Sequence, residues 1–174
     1  MAGRTLHEDP GNLYPVYNII SHEDFRNENL IIQNDIALLE IVEEFVFGSN
    51  INLVEMFNSG EKVEKGMIGV CSGWGFDRTG KLSSHLKVVN VPIIDNEKCF
   101  DIFFPFNNFG IFVDEICAGY FNFIGPNFYD SGGPLTINNR LAGVISWTLK
   151  VKAPAVFSSV SYHRDWINRH AKLE

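Results

Sequence analysis

The chain is a series of short apolar runs separated by clusters of turn-forming residues. Gly, Pro, Asn and Asp lie between the runs, and short runs bounded in this way are typical of the strands of an all-β sandwich or barrel. The 15 phenylalanines also favour strands over a helical bundle. The predicted strands are YPVYNII (14–20), DIALLEI (35–41), MIGVCSGW (67–74), LKVVNVPII (86–94), RLAGVISW (140–147) and APAVFSSV (153–160). The sequence therefore predicts an all-β fold.

Two further segments differ from this pattern. In YHRDWINRHAKLE (162–174), Tyr162, Trp166 and Ile167 recur at helical spacing with basic residues between them, which predicts a short amphipathic helix at the carboxyl end. The polar segment NSGEKVEKG (58–66) predicts a surface connection, placed where it could join two β units.

Composition narrows the classes of partner. The chain has 174 residues, 45% of them hydrophobic, and a net charge of −7. Lys and Arg are not clustered, so a nucleic-acid partner is not expected. An apolar run of about 18 residues is also lacking, so we expect no membrane contact. The expectation is a monomer that holds no cofactor and no metal.

The segment FYDSGGPLTI (128–137) is the strongest candidate for chemistry. It places Ser131 between Asp130 and two glycines, whose freedom lets the backbone bend so that N–H groups converge on a developing oxyanion. The pattern differs from the Gly-x-Ser-x-Gly elbow of α/β-hydrolases. A plain β-turn uses the same residue types, so the segment alone does not decide between a turn and a nucleophile.

The order of several motifs decides in favour of the nucleophile. Together with the Ser131 segment, they resemble the chymotrypsin/trypsin family of serine peptidases over essentially the whole chain. The resemblance implies a chymotrypsin-like double β-barrel: residues 1–55 would be a remnant of the first barrel, truncated at its amino end, and residues 56–174 the second barrel plus the terminal helix. The motifs are NDIALL (34–39), CSGWG (71–75), EICAGY (115–120), GVISW (143–147) and PAVFSSVSYHRDWI (154–167).

The resemblance implies roles for two catalytic residues. Ser131 would be the nucleophile and Asp35 the carboxylate that orients the base. A carboxylate within an apolar strand is costly unless it is hydrogen-bonded, and orienting an imidazole is one way to satisfy it. The family would add a hydrogen bond to Asp35 from the hydroxyl of Ser146.

The base itself is missing from the expected pattern. The family places its histidine upstream of the aspartate, in a motif like Ala-Ala-His-Cys, and the opening MAG resembles the strand that follows that segment. We therefore expect the chain to begin just after the base. The histidines that the chain does contain are expected to be structural or solvated: His7, His22, His85, His163 and His170.

The oxyanion hole would be formed by the N–H groups of Tyr129 and Ser131. Tyr129 stands where the family has glycine. If the backbone there needs an unusual φ, a bulky residue costs about 1–3 kcal/mol or flips the peptide away. Losing one donor typically lowers the rate by about 10²–10³. Tyr129 thus weakens the enzyme hypothesis.

The specificity pocket would be lined by Gly125, Ser146, Trp147 and Thr148. Gly125 would form its floor, where trypsin-like specificity needs an acid, so the resemblance implies a small or apolar side chain in the pocket. Thr148 follows Trp147 where the family prefers glycine, which would narrow the mouth of the pocket.

Other positions bear on the state of the Ser131 loop. The resemblance implies a disulfide between Cys99 and Cys117, whereas Asn127 stands where the family has a pocket cysteine, and Cys71 would be a buried thiol. In active members the residue at Asp130 pairs with an amino terminus freed by cleavage. We expect it to be unpaired here, with a zymogen-like, poorly formed oxyanion hole.

Two functional hypotheses follow. The first is a serine-type endopeptidase that acts through an acyl-enzyme, incomplete and inactive as this chain because the base is missing. The alternative is a non-catalytic homologue that acts as a binding or regulatory protein. Either would engage a peptide or protein, and the family implies an extracellular location, although the amino end lacks the apolar core of a signal peptide.

Overall fold

The computed structural model describes residues 1–29, 31–77, 79–107, 110–121, 124–149 and 153–171. It contains strands β1 Val16–Ser21, β2 Arg26–Glu28, β3 Ile31–Gln33, β4 Ala37–Ile41, β5 Glu55–Met56, β6 Ile68–Gly73, β7 Lys87–Ile94, β8 Glu115–Ala118, β9 Pro134–Ile137, β10 Arg140–Thr148 and β11 Ala155–Ser159, and helices α1 Asn96–Asn107 and α2 Val160–Ala171. The prediction of an all-β fold with a short carboxyl-terminal helix is confirmed, and each of the six predicted strands is present.

Six strands close into a barrel. Their order is β11-β8-β7-β6-β9-β10, and β10 pairs with β11 to complete the ring, while β5 adds to β10 in parallel. The interior is apolar: Val91, Leu135 and Phe157 each have 0% of their surface exposed. Gly69 of β6 lies so close to the Leu135 side chain that a Cβ at this position would overlap it. The strand pattern thus produces one closed, well-packed core.

Two small sheets precede the barrel in sequence. β1 pairs with β4, with Ile19 opposite Leu39, and β2 pairs with β3. The side of the β1–β4 sheet that carries Ile20 and Leu38 packs against a cluster that includes Trp166 of α2. Ile19 and Leu39 lie exposed, at 63% and 62%. The β1–β4 sheet is therefore covered on one side, whereas these apolar side chains remain in contact with solvent.

Helix α1 was not predicted, because its phenylalanine-rich sequence is typical of a strand. Its start is stabilised by Asp95, whose side chain accepts a hydrogen bond from the N–H of Lys98 at 2.8 Å, as an N-cap does. The helix then buries Phe103 completely. The predicted Cys99–Cys117 disulfide is present and ties α1 to β8. Tertiary packing and the disulfide thus override the local preference.

Within the described ranges, no helix is both long enough and apolar enough to cross a lipid bilayer. The segment 58–66 is a connection between β5 and β6 with most of its residues exposed, as predicted. Cys71 is a buried free thiol, also as predicted.

Candidate active site

Asp35 lies two residues before β4 and is hydrogen-bonded to two strands of the barrel. Its carboxylate oxygen Oδ2 accepts a hydrogen bond from the Ser146 hydroxyl at 2.6 Å, and its backbone carbonyl accepts one from the Ser158 hydroxyl at 2.7 Å. The bond from Ser146 that the family resemblance implies is therefore present. It fixes the carboxylate against β10, the strand expected to flank a substrate.

The Ser131 loop is a tight turn held by backbone bonds to β10. The N–H of Gly132 donates to the carbonyl of Ile145 at 2.8 Å, and the N–H of Ile145 donates to the carbonyl of Gly133 at 2.8 Å. Gly133 also has no room for a side chain, because a Cβ would lie 2.8 Å from the carbonyl oxygen of Asp130. The turn leaves Ser131 exposed, as a nucleophile requires.

Tyr129 adopts the backbone conformation that the family's glycine would allow. Its φ is +71°, in the left-handed region that disfavours bulky residues. The residue is 71% exposed, and its ring packs against Phe76 with 4.6 Å between the ring centroids. The backbone here does have an unusual φ, so the strain at Tyr129 is on the order of 1–3 kcal/mol.

The prediction that Asp130 is unpaired was wrong. One carboxylate oxygen accepts the N–H of Gly75 at 2.8 Å, and the other accepts the N–H of Asn127 at 3.0 Å. The carboxylate lies against the backbone of residues 73–75, where Cβ atoms at Gly73 and Gly75 would overlap it. Backbone N–H groups thus satisfy the Asp130 carboxylate.

Asn127 bridges the same region through its side chain. Its Nδ2 donates to the carbonyl of Phe76 at 3.1 Å, and its Oδ1 accepts from the N–H of Phe128 at 2.8 Å. Where the family has a pocket cysteine, this chain therefore has an amide that connects the loop before Ser131 to the segment after β6.

Two of the four residues predicted for the specificity pocket line a small cavity. A cavity of about 40 Å³ lies between Gly125 and Thr148. One water molecule needs about 10–15 Å³ of such a cavity, so this one has room for roughly three or four water molecules. Its other lining residues include Pro126, Asn127, Pro154 and Ala155.

One histidine shares a cavity with the candidate nucleophile. Ser131, Tyr129 and Trp74 line a cavity of about 520 Å³ together with His7. The amino-terminal segment is held there because the Trp74 indole donates to the carbonyl of Thr5 at 3.1 Å. His7 was expected to be structural or solvated, and the sequence carries no signal for this proximity.

The remaining histidines have structural contacts. His22 stacks on Trp166 with 4.9 Å between centroids. His163 is buried, and its Nδ1 lies 2.7 Å from the carbonyl oxygen of Ser159. His170 faces the Trp166 carbonyl, and His85 faces the Ser84 hydroxyl. Across the described part of the chain, no histidine is hydrogen-bonded to Asp35 or Ser131.

Two buried carboxylates near Asp35 were missed. Asp114 and Glu115 are 3% and 6% exposed. Asp114 accepts the N–H of Asn34 at 2.7 Å, and Glu115 accepts the indole N–H of Trp147 at 2.9 Å. Burial raises the pKa of Glu115 to about 7. The only signal in the sequence was that this acidic pair directly precedes an apolar run.

With this geometry established, comparison with known proteins identifies the family. The model of the Trypsin family matches residues 1–167, and the chain belongs to this family of serine proteases. Vitellin-degrading protease of Bombyx mori is 32% identical over 175 residues, which cover 97% of this chain and 64% of that protein. Trypsin eta of Drosophila erecta is 33% identical over 165 residues, or 90% of this chain and 61% of that protein. The chain thus spans less than two thirds of either relative.

Solved structures agree on the fold. The structure described as "Structure of GrC" aligns with a TM-score of 0.87 at 25% identity, covering 98% of this chain and 76% of that one. Neuropsin, a serine protease expressed in the limbic system of mouse brain, aligns with a TM-score of 0.85 at 25% identity, covering 97% and 77%. The prediction of a chymotrypsin-like fold is therefore confirmed.

Proposed function

We propose that this chain carries the nucleophile and the specificity pocket of a serine endopeptidase, whose histidine base must come from outside the 174 residues. The observation that carries this proposal is the Ser146–Asp35 bond at 2.6 Å, which anchors the orienting carboxylate to the same strand, β10, that holds the Ser131 turn.

The chemistry follows from these positions. The Ser131 hydroxyl would attack the scissile carbonyl carbon, giving its proton to the imidazole that Asp35 orients. The N–H groups of Ser131 and Tyr129 would stabilise the oxyanion. The imidazolium would then protonate the departing amine, leaving an acyl-enzyme that a water molecule hydrolyses. Without the imidazole, Ser131 stays protonated and is a weak nucleophile. The 174-residue chain alone is therefore proposed to have no useful peptidase turnover.

The pocket supports a small side chain next to the scissile bond. Gly125 contributes no carboxylate to bind Lys or Arg, and the adjoining cavity is only about 40 Å³. We expect peptides with Ala or Gly before the scissile bond to be preferred over peptides with Phe there, because the cavity that Gly125 shares with Thr148 is small. The ligand is a peptide or protein, and the protein is proposed to act as a monomer.

An extracellular location is part of the same proposal. The Cys99–Cys117 disulfide supports it, because disulfides persist in oxidising compartments.

Labelling with a fluorophosphonate probe tests the proposal. We expect no labelling of the 174-residue chain, and labelling of Ser131 in the form purified from the natural source, which should have an intact mass above 19.7 kDa. The Ser131→Ala variant controls for non-specific reaction. If even the natural form is not labelled, the peptidase proposal fails and a non-catalytic homologue is favoured.

The His7→Ala variant tests whether His7 acts as the base. Labelling of the 174-residue chain that is lost in both Ser131→Ala and His7→Ala would make His7 the base. That result would contradict the proposal that the base lies outside the chain.

A further inference from the structure

The strand that carries Ser146 is held by carboxylates at two consecutive residues. Ser146 donates to Asp35 at 2.6 Å, and Trp147 donates its indole N–H to Glu115 at 2.9 Å. Asp35 lies before β4, and Glu115 begins β8, so the two anchors come from different parts of the fold. The end of β10 is thus fixed by two acidic groups, of which only Asp35 belongs to the family's catalytic set.

Glu115 is bonded through both of its oxygens. Oε1 accepts from the Trp147 indole, and Oε2 accepts from the backbone N–H of Phe112 at 2.8 Å. An ionised carboxylate accepts at both oxygens, whereas a protonated one has a hydroxyl that donates. Protonation therefore weakens at least one of the two bonds.

The surroundings of Glu115 set when it ionises. Burial has the largest effect, and the like charges of Asp114 and Asp35 add to it, while the two N–H donors act in the opposite direction. The resulting pKa is about 7. His163 is a further titratable neighbour, because it interacts with Asp114. A cavity of about 400 Å³ borders Glu115 and is also lined by Glu61, Lys62, Glu64, Lys65, Asp95 and Tyr162.

Apart from the Glu115 bond, the contacts of the Trp147 ring within the described residues are apolar. Its ring packs edge-on against Phe103 of α1, with 4.7 Å between the centroids, in the cluster that contains the disulfide. Such apolar contacts fix the plane of the ring weakly, whereas the indole N–H fixes its direction. The hydrogen bond to Glu115 therefore determines the orientation of the Trp147 indole relative to β10.

We propose that Glu115 is a positioning residue for the substrate-flanking strand, which holds the Trp147 indole in place when its carboxylate is ionised and loosens it when protonated. The inference rests on the proposed function for the role of β10, but the coupling between Glu115 and Trp147 does not. It predicts that the strand is best ordered above neutral pH.

A second indole–carboxylate pair in the same chain serves as a comparison for Glu115 and Trp147. Trp166 donates its indole N–H to Glu23 at 2.6 Å, but Glu23 is exposed, and its own backbone amide and this indole lower its pKa. One indole–carboxylate pair should therefore respond near pH 7, and the other should respond only at acidic pH.

Nuclear magnetic resonance of the indole N–H groups tests the proposal. In ¹⁵N-labelled protein, the three tryptophans give three indole signals, which single Trp→Phe variants assign. Between about pH 5 and pH 9, the Trp147 signal should shift with a midpoint near 7, and the shift should vanish in Glu115→Gln. Glu23→Gln is the matched control and should leave the Trp147 midpoint unchanged. A Trp147 signal that does not titrate, or that titrates equally in Glu115→Gln, would overturn the proposal.

A second variant covers the case in which Glu115→Gln does not fold. Asp114→Asn removes a like charge next to Glu115 and keeps an acceptor for Asn34, so the Trp147 midpoint should move to lower pH. An unchanged midpoint would also contradict the proposal.

The peptidase hypothesis is tested separately. In a form of the protein whose Ser131 reacts with a fluorophosphonate, the labelling rate should fall below pH 7 more steeply in the wild type than in Glu115→Gln. Identical pH profiles would overturn the positioning role. If Ser131 is never labelled while the Trp147 signal titrates, the proposed function fails and the Glu115–Trp147 coupling stands.

Discussion

The closed barrel and the β1–β4 sheet use similar sequences to very different effect. Both are built from short apolar strands, yet the barrel buries Val91, Leu135 and Phe157 completely. In the β1–β4 sheet, Ile19 and Leu39 are more than half exposed. The difference comes from closure, because a barrel covers its own interior, whereas two strands cover only what packs against them. An apolar sequence therefore favours strand pairing in both regions. Whether its side chains are buried depends on the other strands or helices that pack against the pair.

The largest expected effect on the free energy of unfolding comes from truncating a leucine of the barrel, with a leucine of the β1–β4 sheet as the comparison. Leu135→Ala removes a fully buried side chain from the barrel and should lower the free energy of unfolding by about 2–5 kcal/mol. Leu39→Ala removes one that is 62% exposed and should change it by less than about 0.5 kcal/mol. Urea unfolding followed by circular dichroism measures both. Equal losses would show that the β1–β4 sheet is packed as tightly as the barrel.

A second prediction uses the two carboxylates that accept an indole N–H. In the barrel, the pKa of Glu115 is raised from 4.5 to about 7, so the folded state keeps a proton that the unfolded chain has lost. Its contribution to stability is full below pH 4.5 and falls by about 3 kcal/mol as the pH rises to 7, at about 1.4 kcal/mol per pKa unit.

Unfolding measured across this pH range in wild type and Glu115→Gln isolates that contribution, since Gln does not titrate. The wild type should lose stability relative to the variant as the pH rises. Glu23, beside the β1–β4 sheet, should act in the opposite direction, because its pKa is lowered: its contribution is lost as the pH falls. A wild-type curve parallel to that of Glu115→Gln would contradict the prediction.

Sequence alone predicted the strands and the terminal helix because their patterns are local. The resemblance supplied Ser131, Asp35 and the disulfide through ordered motifs. Helix α1 was missed because its phenylalanine-rich sequence lacks a clear helical pattern, and tertiary packing of Phe103 stabilises the helix. Asp130 was misjudged because its partners are backbone N–H groups, which no sequence pattern marks. Glu115 was missed for a similar reason: an acid before an apolar run looks like a strand end until its indole partner, 32 residues away in sequence, is located.

The smallest expected effect on stability comes from replacing asparagines that have a positive φ in two hairpin turns. Asn139, at φ +60°, lies between β9 and β10 of the barrel, and Asn29, at φ +51°, lies between β2 and β3. Alanine tolerates this conformation less well than asparagine, at a cost of roughly 1 kcal/mol. Asn139→Ala should lower the barrel's unfolding midpoint accordingly. Asn29→Ala should leave it unchanged, because the β2–β3 pair can open without exposing the barrel core. If both variants lower the midpoint equally, the small sheet unfolds together with the barrel, and closure alone does not explain the stability of the chain.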